Sequence, residues 1–281
     1  MSQGFDESRF TVQPGRALCA MTVMDDSDPA ITYDSEGVCR LARLAQHRLK
    51  TEYFGYAPEG MARLQPLIDQ MKAEGKGKEY DCIIGVSGGV DSTYSAYLIK
   101  QFGLRALAVH LDNGWDTELA QANIEATVGK LGIDLYTHVV DWNEIKDLQR
   151  SYFEAGVMDV EVVTDHAINA LLFTEAAKRG IRFIVPGSNV TTESIMPPAY
   201  SYDQRDLKNL KALHRRFGKR KLKTYPRMGV LRFLYYIFVK RIKFVPFLNY
   251  VPYEKKEVLA LLQRELGYVP YARKHGESRF T

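Results

Sequence analysis

From Tyr80 onward, short runs of apolar residues alternate with stretches in which apolar residues recur every three or four positions. The runs predict four strands, at residues 81–86, 106–110, 135–139 and 182–185. Between them, helical spacing puts apolar residues on shared faces, as with Tyr94, Tyr97 and Leu98, or Ile124, Val128 and Leu131. Buried strands alternating with amphipathic helices are typical of a parallel sheet covered on both faces. The pattern therefore predicts an α/β fold with a doubly wound parallel sheet.

The regions on either side of this alternation carry few strand signals. A helical stretch at 59–74 precedes the loop Gly75-Lys76-Gly77, which we take as the first boundary. Beyond Tyr200 the strand signals disappear and the chain looks helical, including 254–266 with Gly267 as its stop. The sequence thus predicts a small N-terminal segment (1–77), a sheet domain (78–200) and a basic, helical C-terminal region (201–281).

Composition and charge narrow the class of protein. A chain of 281 residues with 46% hydrophobic and 26% charged residues suits one principal globular domain with appendages. The apolar run 230–239 is interrupted by Arg232 and is too short to cross a bilayer. Asp6 and Glu7 lie where an export signal would carry basic residues. We therefore expect a cytoplasmic protein.

The three cysteines, Cys19, Cys39 and Cys82, are odd in number and widely spaced. This argues against a disulfide framework and is typical of a reducing compartment. Cys82 lies inside the first predicted strand and is interpreted as a packed core residue.

The loop after the first strand carries the strongest chemical signal. It reads Ser87-Gly88-Gly89-Val90-Asp91-Ser92, and a helix follows at once. Glycines let the backbone approach an anion, and the amides of a helix N-terminus bind phosphate. Asp91 would repel a phosphate unless Mg²⁺ lay between them. The alternative is a tight turn in which Asp91 only caps the helix.

This string resembles the signature of the PP-loop ATP pyrophosphatase superfamily, Ser-Gly-Gly-x-Asp-Ser. Members of that superfamily adenylate a carbonyl-type oxygen and let ammonia or a sulfur nucleophile displace AMP. The resemblance implies that 78–200 is an ATP-binding domain of the adenine nucleotide alpha hydrolase-like fold, with ATP and Mg²⁺ as its cofactors.

Further motifs are similar to the N-acetyl sugar amidotransferases of surface-polysaccharide synthesis. They are Leu111-Asp112-Asn113-Gly114-Trp115, Asp165-His166-Ala167-Ile168, Gly187-Ser188-Asn189, Thr192-Glu193-Ser194-Ile195, Val23-Met24-Asp25 and Lys274-His275-Gly276-Glu277-Ser278. Such enzymes are thought to convert an acetamido group into an acetamidino group with ammonia from a separate glutaminase. The resemblance implies an ATP-dependent amidotransferase, a carbon-nitrogen ligase of lipopolysaccharide or O-antigen biosynthesis. Its expected partners are an N-acetylated, nucleotide-linked sugar and a glutaminase subunit, with no nucleic acid.

The resemblance also implies roles for particular side chains. The residues expected to bind pyrophosphate are Ser87, Gly88, Gly89, Asp91 and Ser92, with Asp91 as the Mg²⁺ ligand. Weaker candidates for adenosine and substrate are Asp112, Asn113, Gly187, Ser188 and Asn189. The expected catalytic residues are Asp91, Glu193 and His166. For Asp112 and Asn113 a polar turn is an equal alternative, and Asp165 and His166 also suit a helix cap.

This chain departs from the pattern of the resembling family at two places. The family often carries two Cys-x-x-Cys pairs near Cys19 and Cys39, whereas this chain has Thr22 and Ala42 at the second positions, so we predict no structural zinc. The family also generally continues past Thr281.

Two alternative functions are a tRNA-modifying PP-loop enzyme and an inactive nucleotide-binding subunit. The basic stretch 215–221 suits RNA, anionic lipid or a sugar diphosphate, and most simply a solvated helical face.

Overall fold

Five parallel strands form one sheet at the centre of the molecule, in the order β3-β2-β1-β4-β5. The computed structural model describes residues 6, 8–11, 18–56, 59–193, 195–197, 200–272 and 276–279. The strands are β1 (Cys82–Gly85), β2 (Ala106–Asp112), β3 (Asp134–Val139), β4 (Phe183–Val185) and β5 (Lys243–Phe244). The prediction of a doubly wound parallel α/β sheet is confirmed.

Helices cover both faces of this sheet. They are α1 (Arg40–Glu52), α2 (Glu59–Gly75), α3 (Val90–Gln101), α4 (Glu118–Leu131), α5 (Trp142–Glu154), α6 (Val162–Lys178), α7 (Leu207–Phe217), α8 (Val230–Leu234) and α9 (Lys255–Leu266). A π-helical segment, Tyr235–Val239, continues α8, and a short 3-10 helix spans Phe247–Asn249. In the described ranges, no helix is both long and apolar enough to cross a membrane.

The alternation of side chains along β1 divides the interior into two cores. Ile84 packs into the core under α2, α3 and α9, whereas Ile83 packs into the core under α5 and α6. Successive residues of a strand point to opposite faces, so a strand with apolar side chains at every position must be covered on both sides. β1 is accordingly the central strand, paired with β2 on one side and β4 on the other.

The expectation that strands end before Tyr200 is wrong. Lys243 and Phe244 form β5, which pairs in parallel with Phe183 and Ile184 of β4. A two-residue edge strand has no alternation to detect, and its pairing depends on a partner far away in the chain. The C-terminal region therefore contributes to the sheet, and α9 packs on α3 and α4.

A small separate core forms around Cys19 and Cys39. The Cys19 sulfur accepts a hydrogen bond from the Cys39 amide at 3.1 Å, and the Cys39 sulfur caps α1 by accepting from Ala42 at 3.4 Å. The buried carboxylate of Asp34 pairs with Arg43 at 2.9 Å. Among the residues that the structure describes, no three Cys, His, Asp or Glu side chains form a metal-binding group. Sulfur-centred hydrogen bonds and the ion pairs of Asp34 with Arg43 and Arg9 thus organise this segment.

Candidate nucleotide-binding site

The loop Ser87–Ser92 lies where the sheet changes its winding direction. The chain leaves β1 toward β2 and β3 on one side, and later returns to β4 on the other side of β1. In open parallel sheets, ligands bind in the crevice beyond the carboxyl ends of the strands at such a switch point. The topology therefore puts this loop at the expected ligand crevice.

Gly88 and Gly187 allow two close backbone approaches beside this crevice. Gly88 has a φ of +75°, and a Cβ there would lie 2.6 Å from the carbonyl oxygen of Ala120 on α4. A Cβ on Gly187, after β4, would lie 2.9 Å from Cα of Ser92. Both positions exclude a side chain, so the loops after β1 and β4 pack directly against α4 and α3.

The N-terminus of α3 presents backbone amides that have no intrahelical acceptor. The first helical hydrogen bond runs from Thr93 to the Gly89 carbonyl at 3.1 Å, and Gly89 provides no side-chain cap. The amides of Val90, Asp91 and Ser92 therefore point out of the helix end, where the helix dipole favours an anion. This arrangement suits a phosphate group.

The two serines of the signature shape the loop from within. Oγ of Ser87 accepts a hydrogen bond from the Gly89 amide at 3.3 Å and lies 3.2 Å from Oγ of Ser92. The Ser92 hydroxyl donates to the Gly89 carbonyl at 3.1 Å. Ser92 is buried, whereas Ser87 is exposed and faces solvent at the crevice.

Asp91 is half-buried at the start of α3. The Tyr253 hydroxyl donates a hydrogen bond to its Oδ1. Burial raises the pKa of the Asp91 carboxyl, and the charge of Glu277 adds to this, although the Tyr253 hydrogen bond and Lys255 act in the opposite direction. A carboxylate that is costly to ionise gains strongly from a nearby cation.

Residues from the far end of the chain form one wall of the crevice. The Tyr271 hydroxyl donates to the Gly88 carbonyl at 2.9 Å, and the Glu277 carbonyl accepts from the Thr117 amide at 3.0 Å. Tyr253 and Tyr271 were not identified from the sequence, because neither lies in a recognisable motif. Glu277 lies in the matched motif at 274–278, of which Lys274 and His275 are outside the described residues.

Asp112 and Asn113 follow β2, as predicted, and both accept hydrogen bonds from their own turn. Oδ1 of Asp112 accepts from the Gly114 amide at 2.9 Å, and Oδ1 of Asn113 accepts from the Trp115 amide at 3.0 Å. The ring of Trp115 meets that of Trp142 edge to face, with centroids 4.9 Å apart. This geometry matches the polar-turn alternative for Asp112 and Asn113.

His110 links β2 to the start of the signature loop and was missed at the sequence level. Its Nδ1 lies 3.0 Å from the Val86 carbonyl, and its Nε2 lies 3.2 Å from Asp116. Burial alone would lower the pKa of His110, but the Asp116 carboxylate and the Val86 carbonyl raise it above its ordinary value. The imidazole thus helps fix the backbone that enters the loop.

The loop after β4 brings Ser188, Asn189 and Glu193 to the same edge of the sheet. Oδ1 of the buried Asn189 accepts from the amides of Thr191 and Thr192, at 3.0 and 3.1 Å. Its Nδ2 has no hydrogen-bond partner in the described part of the chain. Partial burial, together with the charge of Asp91, raises the pKa of the Glu193 carboxyl. Glu193 and Asp91 are therefore electrostatic neighbours.

His166 lies on α6, and both of its ring nitrogens form hydrogen bonds with backbone groups. Its Nδ1 donates to the Gln204 carbonyl at 2.7 Å, and its Nε2 accepts from the Met228 amide at 3.3 Å. Burial lowers the pKa of this imidazole, so it is neutral near pH 7. Both nitrogens are engaged by backbone groups, the geometry that a histidine with a structural role also adopts.

Replacing Asp165 with asparagine is expected to stabilise the protein at about pH 8 and to lose this benefit toward about pH 5. Burial, with the charges of Glu161 and Asp159, raises the pKa of Asp165 from 3.8 to about 7. Between these values the folded protein keeps a proton that the unfolded chain releases, so stability falls as the pH rises. Thermal unfolding followed across this range measures the difference.

Asp203→Asn is the matched control for that experiment. The hydrogen bond from Arg205 lowers the pKa of Asp203, so its ionised form stabilises the fold above its ordinary pKa. The control should therefore destabilise near neutral pH, with a difference that shrinks in acid. An Asp165 variant that follows the same direction as the control would contradict the assigned shift.

Comparisons with known proteins give partial matches. No family model matches the chain. The tRNA-specific 2-thiouridylase MnmA of Proteus mirabilis is 31% identical over 128 residues, which cover 40% of this chain and 35% of that protein. The Serratia proteamaculans MnmA is 30% identical over 130 residues, with 40% and 35% coverage. The chain thus spans about a third of the length of these curated relatives.

Two solved structures also match. NMN synthetase from Francisella tularensis has a TM-score of 0.32 and 21% identity, covering 46% of this chain and 55% of that one. NH3-dependent NAD synthetase from Campylobacter jejuni has a TM-score of 0.36 and 13% identity, covering 76% and 99%. The signature Ser-Gly-Gly-x-Asp-Ser at the switch point and the similarity to the thiouridylases together support the PP-loop ATP pyrophosphatase superfamily as the group that this chain resembles.

Proposed function

We propose that the protein is an ATP-dependent amidotransferase acting on an N-acetyl sugar in lipopolysaccharide or O-antigen-type glycan synthesis. The observation that carries the ATP chemistry is the N-terminus of α3, whose outward amides lie beside the half-buried Asp91 at the switch point. The sugar substrate rests on the resemblance of the motifs around Asp112, Asp165, Gly187 and Glu193 to that family.

The first proposed step is adenylation. The acetamido oxygen attacks the α-phosphorus of ATP, and the bond from that phosphorus to the bridging oxygen breaks, releasing pyrophosphate. The outward amides of Val90, Asp91 and Ser92 would hold the departing phosphates and stabilise the charge that develops there. Adenylation converts a poor leaving group on the amide carbon into a good one.

In the second step, ammonia attacks the adenylated carbon and AMP leaves with its bonding electrons. The nitrogen must lose a proton to give the acetamidino group. We assign this proton to Glu193, because its raised pKa brings the carboxyl nearer to the pH at which a general base works well. The ammonia is expected to come from a separate glutaminase subunit.

Asp91 would hold a magnesium ion together with the phosphates, which leaves the neighbouring Glu193 uncoordinated for its role in proton transfer. The charge of Asp91 raises the pKa of Glu193, which indicates two neighbouring carboxylates in a partly desolvated place. Mg²⁺ is commonly held by one or two carboxylates together with substrate phosphates. When bound, the ion would neutralise part of the negative charge of the ATP phosphates.

A cavity beside Glu193 offers a place for the acetamido group. It has a volume of about 330 Å³ and lies between α1 and the loop after β4. Thr22 and Gln46 line it on one side and Thr191 and Thr192 on the other, with apolar side chains between and no charged residue. Hydroxyls and methyl groups without charge suit a neutral, hydroxyl-rich substrate.

Transfer of sulfur to tRNA is the second candidate, favoured by the similarity to 2-thiouridylases. A sulfur relay needs a thiol that can reach the adenylated substrate. All three cysteines are buried, and burial in β1 raises the pKa of Cys82 far above its ordinary value. This weakens the tRNA candidate relative to the amidotransferase.

The deciding experiment measures AMP and pyrophosphate release from MgATP with ammonium and a panel of nucleotide-linked N-acetyl sugars. We expect release that depends on both ammonium and one class of sugar, with a product in which NH replaces the acetamido oxygen. Release that instead requires unmodified tRNA and a sulfur donor would favour the second candidate. Saturable ATP binding without release under any condition would indicate an inactive subunit.

A further inference from the structure

An exposed apolar stripe runs along α8 and the π-helical segment that follows it. Six large apolar side chains on one side are between 40% and 84% exposed: Val230, Leu231, Leu234, Tyr235, Phe238 and Val239. These residues form three adjacent pairs, and each pair follows the previous one by four residues. This spacing keeps all six on a single face. A contiguous apolar surface of this kind on a folded protein marks an interaction site.

The opposite side of the same segment is anchored in the core. Tyr236 is buried, and its ring stacks on that of Phe173 with centroids 6.0 Å apart. Phe233 meets Phe173 edge to face at 5.4 Å. Because these contacts fix the rotation of the segment, the stripe is held outward by the fold.

The surroundings of the stripe are strongly basic. From Leu207 to Phe244 the sequence contains thirteen Lys and Arg residues and no Asp or Glu. Arg232 within this segment and Lys240 and Arg241 directly after it are exposed. An apolar face bordered by cations is typical of segments that lie in the interface of an anionic membrane.

A cationic cavity opens at the first residue of the stripe. It has a volume of about 320 Å³ and lies between α7 and α8, with Lys208, Lys211, Arg215 and Val230 in its lining. Asp206 also borders this cavity. Its Oδ1 caps α7 by accepting hydrogen bonds from the amides of Lys208 and Asn209, both at 2.9 Å. Three cations beside an apolar residue suit a phosphate head group joined to a hydrocarbon chain.

We propose that this surface, α7 with the stripe and the cavity between them, binds the face of an anionic phospholipid bilayer. A lipid phosphate would enter the cavity, and the stripe would lie in the interface beside it. RNA fits less well, because four of the six stripe residues, Val230, Leu231, Leu234 and Val239, are aliphatic, and only Tyr235 and Phe238 offer a ring on which a base could stack. The proposal does not depend on which substrate the nucleotide site uses.

The test is co-sedimentation of the full chain with vesicles of phosphatidylglycerol and phosphatidylcholine, compared with phosphatidylcholine alone. We expect clear preference for the anionic vesicles. Leu231→Ser with Phe238→Ser should reduce the bound fraction about tenfold by removing apolar area. Lys208→Gln with Lys211→Gln should reduce binding to the anionic vesicles about threefold or more and leave the weak binding to neutral vesicles unchanged.

Matched controls change equally exposed residues elsewhere. Phe153→Ser with Met158→Ser removes two exposed apolar side chains of α5 and the turn after it, and Lys130→Gln with Lys146→Gln removes two exposed cations. Both pairs should bind vesicles like the unaltered chain. The proposal is overturned if all variants bind the anionic vesicles alike, or if free glycerol phosphate abolishes binding to those vesicles. Binding of tRNA without binding of vesicles would also overturn it. The same holds if the stripe variants lose only the self-association of the protein.

Discussion

Alanine at Gly88 is expected to weaken nucleotide binding, with a loss of about a hundredfold or more in affinity for a non-hydrolysable ATP analogue. The residue has a φ of +75°, which strains any side-chain-bearing residue, and its Cβ would lie 2.6 Å from the Ala120 carbonyl oxygen. The loop would have to move away from α4, and the first-turn amides of α3 would move with it. Titration calorimetry with α,β-methylene ATP measures the effect.

Gly180→Ala is the matched control. Gly180 also has a positive φ, +64°, but a Cβ there would meet nothing within 4 Å, and the residue lies at the opposite end of β4. It should lose about 1 kcal/mol of stability and keep its affinity for nucleotide. If Gly88→Ala binds the analogue as tightly as the control does, this loop is not the phosphate site.

Replacing Asp91 with asparagine is expected to reduce AMP formation about a hundredfold or more. An asparagine oxygen can still accept the Tyr253 hydrogen bond, so the fold should be retained while the negative charge is lost. Without that charge, magnesium would be held poorly and the phosphates would be less well neutralised. Steady-state AMP release over a range of Mg²⁺ concentrations measures the change.

Tyr253→Phe separates the charge of Asp91 from its hydrogen bond. The Tyr253 hydroxyl lowers the pKa of Asp91 against the opposing effect of burial, so its removal should raise that pKa further. As the solution is acidified, the variant should therefore lose carboxylate-dependent activity at a higher pH than the unaltered chain does. The two should differ less at alkaline pH.

Unchanged AMP release by Asp91→Asn at every Mg²⁺ concentration would rule out the role of Asp91 as a magnesium ligand.

Signals confined to a short stretch of sequence predicted the sheet and the signature loop. The strands β1 to β4 lie within two residues of their expected bounds, because uninterrupted apolar runs and glycine turns are local properties. β5 was missed since Lys243 and Phe244 show no pattern of their own. Their place in the sheet comes from Phe183 and Ile184, about sixty residues earlier.

The composition of the crevice was harder to predict than the fold. Tyr253 reaches Asp91 across 162 residues of sequence, and Tyr271 reaches Gly88 across 183. No periodicity encodes such contacts. Asn113 and His166 illustrate a second difficulty, because residue types that bind ligands also bind backbone groups, as both of these side chains do.

The edge-to-face pair beside β2 gives the protein an intrinsic optical probe. Trp115 and Trp142 are its two tryptophans, so all of its indole emission arises next to the crevice. The carbonyl of Trp115 also accepts the amide of Arg279, which ties this spot to the wall formed by the end of the chain. Quenching or a spectral shift on addition of nucleotide would therefore report local rearrangement directly, without any attached dye.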